Sequence, residues 1–167
     1  AITKAINIAS DSVVGVNVTK IRQQRISPFF DPFWDDFFPQ KRSYKVESFG
    51  SGVIMSSDGY IITNQHVIDN ASEVIITTSG GEKYEAEIVG SDELTDIALL
   101  KIKKKNLPIV DFGDSDKLII GEWAIAIGNP LGLFDVSNQP TATAGIISGV
   151  NMDFGQKRSG RVYQNMI

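Results

Sequence analysis

Between Tyr44 and Ile102 the sequence reverses direction every few residues. Apolar or alternating runs at 44–48, 52–55, 60–63, 73–78, 84–89 and 97–102 are separated by Ser57-Asp58-Gly59, Ser79-Gly80-Gly81 and Gly90-Ser91-Asp92. Short runs rich in β-branched and aromatic residues, bounded by Gly, Asp and Ser, read as strands. Their density leaves no space for the crossover helices that a parallel sheet requires. The chain is therefore expected to be all-β, an antiparallel Greek-key barrel ending near Phe112. A doubly wound nucleotide fold is disfavoured, because Gly128-Asn129-Pro130-Leu131-Gly132 neither follows the GxGxxG spacing nor opens a helix.

Outside that region the pattern changes. Ile2, Ala5, Ile6 and Ala9 recur at helical spacing and predict a short N-terminal helix, followed by a strand over 12–18. A polar stretch then leads to six aromatic residues within 29–38, broken by Pro32 and three aspartates and closed by Pro39. Prolines at that density exclude a regular element, so 26–43 is expected to be an aromatic loop that folds back on the body or docks on another subunit. Residues 113–117 read as a crossing. Trp123, Ile125 and Ile127 then alternate with Ala124 and Ala126, and a second set of strands is expected over 122–128, 141–150 and 162–167. Such a set leaves open sheet edges, from which a longer natural polypeptide or association with other copies is expected.

Composition removes several function classes. The chain has no cysteine, which excludes thiol nucleophiles, disulfides and thiolate metal sites. With a single histidine, no metal site is expected, and no cofactor. Asp114 and Asp116 could open a calcium loop, but Leu118 and Ile119 fall where oxygen ligands and glycine are required. A net charge of −4, with basic residues dispersed except at Lys103-Lys104-Lys105, gives no footprint for nucleic acid. No apolar run is long enough to cross a bilayer, and no signal-type segment opens the chain, so any targeting segment has been removed or never existed.

Two residues carry the chemistry. His66 stands directly after the run 60–63, where Thr63-Asn64 supplies turn and capping groups and His66-Val67-Ile68 reads as one helical turn aiming the imidazole outward. Asp96 immediately precedes the strand 97–102. A lone histidine is more often structural than catalytic, and an aspartate there is more often a turn residue. As a pair they are candidates for a base and the carboxylate that orients it. Ser51, in Gly50-Ser51-Gly52, is rejected as a nucleophile, because the elbow it evokes requires Gly-x-Ser-x-Gly on a strand-to-helix turn and this run leads into a strand.

FGSGVI, TNQHVI at His66, SDELTDIALL at Asp96, DSDKLIIGEWAIAIGNPLG and TATAGIISG occur in the order in which they stand in the HtrA/Deg family of trypsin-like serine proteases, which the chain resembles from about Ile8 to Ile167. The resemblance implies a chymotrypsin-like double β-barrel, with the first barrel complete over 1–112 and the crossover and beginning of the second over 113–167. It implies that His66 is the general base and Asp96 its orienter. The family's nucleophile lies in a GNSGG loop roughly a dozen residues after a segment like 163–167, so it is expected beyond Ile167 and the chain alone is expected to be inactive.

The same resemblance implies an endopeptidase of protein quality control acting on unfolded polypeptides. It also implies a trimer-based homo-oligomer and an extracytoplasmic, periplasmic location. It places a regulatory loop at the aromatic segment and a sensor loop at 151–161, to which no residue is assigned. The connection 133–140 is longer than the family's. A second reading is a non-catalytic, chaperone-like polypeptide-binding module on the same scaffold.

Overall fold

The computed structural model describes residues 2–26, 40–129, 132, 134–137 and 139–167. The aromatic segment 29–38 lies outside them, as does part of the connection 133–140. Six strands close into one barrel: β1 (Val13–Ile26), β2 (Gln40–Ile54), β3 (Tyr60–Thr63), β4 (Glu73–Thr77), β5 (Lys83–Asp92) and β6 (Ile97–Ile102). The order around the barrel is β1-β2-β3-β6-β5-β4, every neighbour is antiparallel, and β4 returns to β1 with Val16 opposite Ile76. Because strand side chains alternate, each strand sends every second residue inward. Val14, Val16, Ile54, Ile61, Ile76, Leu100 and Ile102 are fully buried at 0% exposure. At about 1.5–3 kcal/mol for each such side chain, this layer is the principal stabilising element.

The strands differ from the sequence expectation in three places. The runs 44–48 and 52–55 are one continuous strand, β2. Gly50 does not break it but lets a helix approach, since a Cβ there would lie 2.6 Å from Val67 Cγ1. β1 continues through the polar residues after Val18, paired with β2 from Thr19↔Glu47 to Ile26↔Gln40, while its pairing with β4 stops at Thr19. Beyond the barrel the two strands therefore form a polar ribbon, which takes in Ile26 and residues 40–43 of the expected loop 26–43; the rest of that loop lies outside the described residues. Polarity did not end these strands because a two-stranded ribbon has both faces in water. Finally, Gly90 is not a turn: it lies within β5 at an irregularity in the pairing with β6, and the reversal comes after Asp92. The Ser57-Asp58-Gly59 turn joins β2 to β3 as read; Gly59 has φ +109° and a Cβ there would collide with the Ile102 carbonyl oxygen.

The N-terminal helix α1 (Ile2–Ser10) buries none of its residues fully and packs beside β7 (Trp123–Gly128). β7 pairs with β8 (Thr141–Ile146) in a two-stranded sheet. The expected continuation over 162–167 does not join it. Instead β9 (Gly155–Gln156) pairs with β10 (Val162–Tyr163) as a separate small hairpin, closed below by a bridge between Met152 and Met166. The second barrel is thus present as two strand pairs. A buried seam fastens the β7–β8 pair to the first: Asn129, 1% exposed, donates its backbone N–H to Ser51 Oγ on β2 at 2.6 Å. Its side-chain Oδ1 accepts the N–H of the fully buried Phe134 at 2.9 Å.

Candidate active site

β3 ends at Thr63, whose hydroxyl donates to the Ser51 carbonyl at 2.7 Å and ties the strand end to β2. A single helical turn, α2 (Gln65–Ile68), follows. Its underside is fixed by Ile68, which enters the barrel core, and by Val67 against Gly50. With those neighbours pinned, His66 is carried on the outer side, and its side chain is 54% exposed. Asn64 occupies the N-cap position without capping the helix; its Nδ2 donates to the Asp96 carbonyl at 3.1 Å. The expected capping group is thus used to bind the β5–β6 reversal.

Asp96 closes that reversal with φ +61°, a left-handed conformation that Asp tolerates better than most residues. Asp96 is therefore a turn residue, and its side chain also faces the imidazole. Gln65 donates its N–H to the Asp96 carbonyl at 3.1 Å, and His66 donates its own backbone N–H to Asp96 Oδ1 at 2.8 Å. The remaining oxygen, Oδ2, lies 2.7 Å from His66 Nδ1. The structure brings together the two residues singled out in the sequence, 30 positions apart.

The Asp96 side chain is only 6% exposed. Burial by itself raises its carboxyl pKa, but the His66 backbone and imidazole hydrogen bonds, together with the imidazole and Arg161 charges, outweigh it and hold the group below the usual carboxylate range. An ionised carboxylate only accepts, so the proton between the two side chains belongs to His66 Nδ1. In the neutral ring the other nitrogen, Nε2, is then a free acceptor, and no described residue hydrogen-bonds it.

Three supports were not found in the sequence: Asn64, Gln65 and Arg161. The first two precede His66 in TNQH, where Asn64 reads as local turn and capping chemistry and Gln65 carries no signal of its own. Arg161 reaches the site from β10's approach, 96 residues from the Gln65 it contacts, and no local pattern signals it. Ser51, by contrast, has its hydroxyl engaged by Asn129 at the seam. No group of three or more His, Cys, Asp or Glu among the described residues could hold a metal ion.

An imidazole carried just past a strand end and facing a buried carboxylate is the arrangement of a trypsin-like peptidase, and the family model for the trypsin-like peptidase domain matches residues 50–167. The chain belongs to the HtrA/Deg family of trypsin-like serine proteases. It is 41% identical over 165 residues to "Probable periplasmic serine endoprotease DegP-like" of Pseudomonas putida (strain GB-1), covering 87% of this chain and 34% of that one. It is 46% identical over 123 residues to "Putative serine protease HhoB" of Synechocystis, covering 74% and 28%. Among solved structures it resembles the HtrA-type protease AlgW with decapeptide, with a TM-score of 0.71, 37% identity and coverage of 99% of this chain and 50% of that one. It also resembles the serine endoprotease from Yersinia pestis, with a TM-score of 0.65, 36% identity and coverage of 90% and 45%. The chain spans about a third of the length of these curated relatives and about half of the solved chains. The HtrA/Deg fold of the solved neighbours is the chymotrypsin-like double barrel, here with its first barrel closed and its second partial.

Proposed function

We propose that this chain supplies the base and the acid of a serine endopeptidase, with His66 as general base and Asp96 as its orienter. The observation that carries the reading is the 2.7 Å contact between His66 Nδ1 and Asp96 Oδ2, with no described residue hydrogen-bonded to Nε2. In this reading the attacking serine belongs to a segment following Ile167. Its hydroxyl gives its proton to His66 Nε2 as its oxygen bonds to the scissile carbonyl carbon, and Asp96 stabilises the imidazolium that forms. The tetrahedral intermediate collapses as His66 returns that proton to the leaving amine nitrogen, leaving an acyl-enzyme that water cleaves by the same proton relay. Backbone amides near the serine hold the oxyanion.

The substrates in this reading are polypeptides, as the names of the endoprotease relatives suggest, and specifically unfolded or misfolded ones. The location is extracytoplasmic and periplasmic, as the DegP-like relatives are named, and the assembly is a trimer-based homo-oligomer. No described helix is long and apolar enough to cross a membrane, which says nothing of a β-barrel.

The test is labelling of the intact polypeptide by a serine-directed fluorophosphonate probe. We expect one serine to be labelled, and the His66→Ala variant to react more slowly by roughly 10⁴-fold or more. The 167-residue chain by itself should take no label. Labelling of that chain at Ser51, or labelling of the intact protein that is indifferent to His66, would overturn the assignment.

A further inference from the structure

Arginine is seldom buried without a partner. Arg161 is half-buried, its side chain 21% exposed, and its Nε is out of contact with water and makes no hydrogen bond. The nearest acceptor of opposite charge is Asp96 Oδ1 at 3.5 Å, close enough for an ion pair but not aligned as a hydrogen bond. Its Nη2 donates to Gln65 Oε1 at 3.2 Å. Gln65 is itself 8% exposed, and its amide nitrogen donates to Asp69 Oδ1 at 3.3 Å, so its oxygen is turned towards the guanidinium. One cation therefore touches both the carboxylate that faces His66 and the residue just before His66.

The backbone around Arg161 holds it there. Its carbonyl accepts the Lys157 N–H at 2.8 Å across the β9–β10 turn, and the next residue, Val162, donates its N–H to the Leu94 carbonyl at 2.9 Å. Leu94 lies in the β5–β6 reversal that ends at Asp96. The hairpin is thus hydrogen-bonded to the same short loop that presents the carboxylate.

We propose that Arg161 is a positioning residue for Asp96: through its contacts with Asp96 Oδ1 and Gln65 it fixes the carboxylate that orients the imidazole, so that the β9–β10 hairpin governs the geometry of the His66–Asp96 pair. Oδ1 is then held from two sides, by the His66 backbone N–H and by Arg161, and Oδ2 is left aimed at Nδ1. Without the guanidinium, Oδ1 keeps one partner and the carboxylate can rotate about its Cβ–Cγ bond. The inference rests on the proposed roles of His66 and Asp96, and its test includes a readout that needs no turnover.

That readout is the downfield proton resonance of the His66 Nδ1–H facing Asp96, recorded on the intact protein. In Arg161→Ala it is expected to move upfield or to broaden through exchange with water. The value of kcat should fall roughly tenfold, the effect of a carboxylate that has lost one of the two groups fixing its orientation, with KM within about twofold. Arg161→Lys keeps the charge but not the fork and should restore the resonance and most of kcat. Arg161→Gln serves as the second neutral variant should the alanine chain not fold.

A neutral variant that melts earlier yet keeps the resonance and kcat would reduce Arg161 to a fastener of the hairpin and overturn the proposal. A lysine variant no better than alanine would overturn it as well. If the intact protein fails to react with the fluorophosphonate, the protease reading falls, while the resonance comparison still decides whether Arg161 fixes the carboxylate.

Discussion

The barrel and the β7–β8 sheet are built from the same kinds of residue and treat them oppositely. In the barrel, Ile61, Ile76 and Leu100 are 0% exposed; around the second sheet, Trp123 is 72%, Ile146 57%, Ile119 64% and Ile120 61% exposed. Hydrophobicity does not separate the two groups. Closure does. β1 is paired on both sides, so the six-strand sheet curls on itself and acquires an inside, whereas β7 and β8 pair only with each other among the described strands. A two-stranded sheet has two outer faces, and α1 covers only part of one, where Ile2, Thr3 and Ala5 line an open cleft with Trp123 and Ile125. The first region carries its own core, and the second holds its place through the seam at Asn129 and the contacts of its hairpin.

The largest expected effect follows from this contrast. Leu100→Ala should destabilise the chain by about 2–5 kcal/mol, because the closed barrel cannot collapse onto the void. Ile146→Ala, at a solvent-facing position, should change stability by no more than about 0.5 kcal/mol. Urea unfolding measures both, and equal costs would mean that the β7–β8 sheet has a core of its own. A smaller effect is expected at the seam. Ser51→Ala removes the acceptor of the buried Asn129 N–H and should cost about 1–3 kcal/mol. Amide exchange would localise the loss: Asn129 and Phe134 should exchange faster while Leu100 keeps its protection, and uniform loss of protection would show that the two regions unfold as one.

Legibility in the sequence follows the same division. The strands Tyr60–Thr63 and Ile97–Ile102 could be read to the residue, because each is bounded by turn chemistry and each buries one face, which imposes the two-residue period. The pairing of Val162 and Tyr163 with Gly155 and Gln156 could not be, since two-residue strands carry no period. At the site, His66 is legible as the chain's single histidine, directly after a strand, and Asp96 as an acidic residue immediately before an apolar one. Asn64 reads as a cap and is not one: an amide beside a helix start serves as a cap or as a long-range tie with the same side chain, and only the fold decides. Arg161, one of several basic residues in a polar loop, is distinguished by a contact made across the whole barrel sequence.

The smallest expected effect lies where the two regions meet. The Asp96 carboxyl is held below the usual carboxylate range in the folded chain. Protonation is therefore easier in the unfolded chain, where the value is about 3.9, and ionised Asp96 contributes stability. That contribution is fully present above the ordinary carboxylate value and is lost as pH falls through the folded one. Over that window the slope from this residue cannot exceed one proton, about 1.4 kcal/mol per pH unit. Asp96→Asn should flatten the acid side of the stability profile, measured by urea midpoints from pH 6 downward, and should lower stability at neutral pH, since the amide cannot accept from His66 and face Arg161 as the anion does. Arg161→Gln should flatten it less, because the guanidinium is only one of the groups lowering the pKa and the His66 hydrogen bonds remain. If Arg161→Gln flattened the profile as much as Asp96→Asn, the contact between the hairpin and the barrel would outweigh the His66 hydrogen bonds in holding the charge, and the carboxylate would belong as much to the second region as to the first.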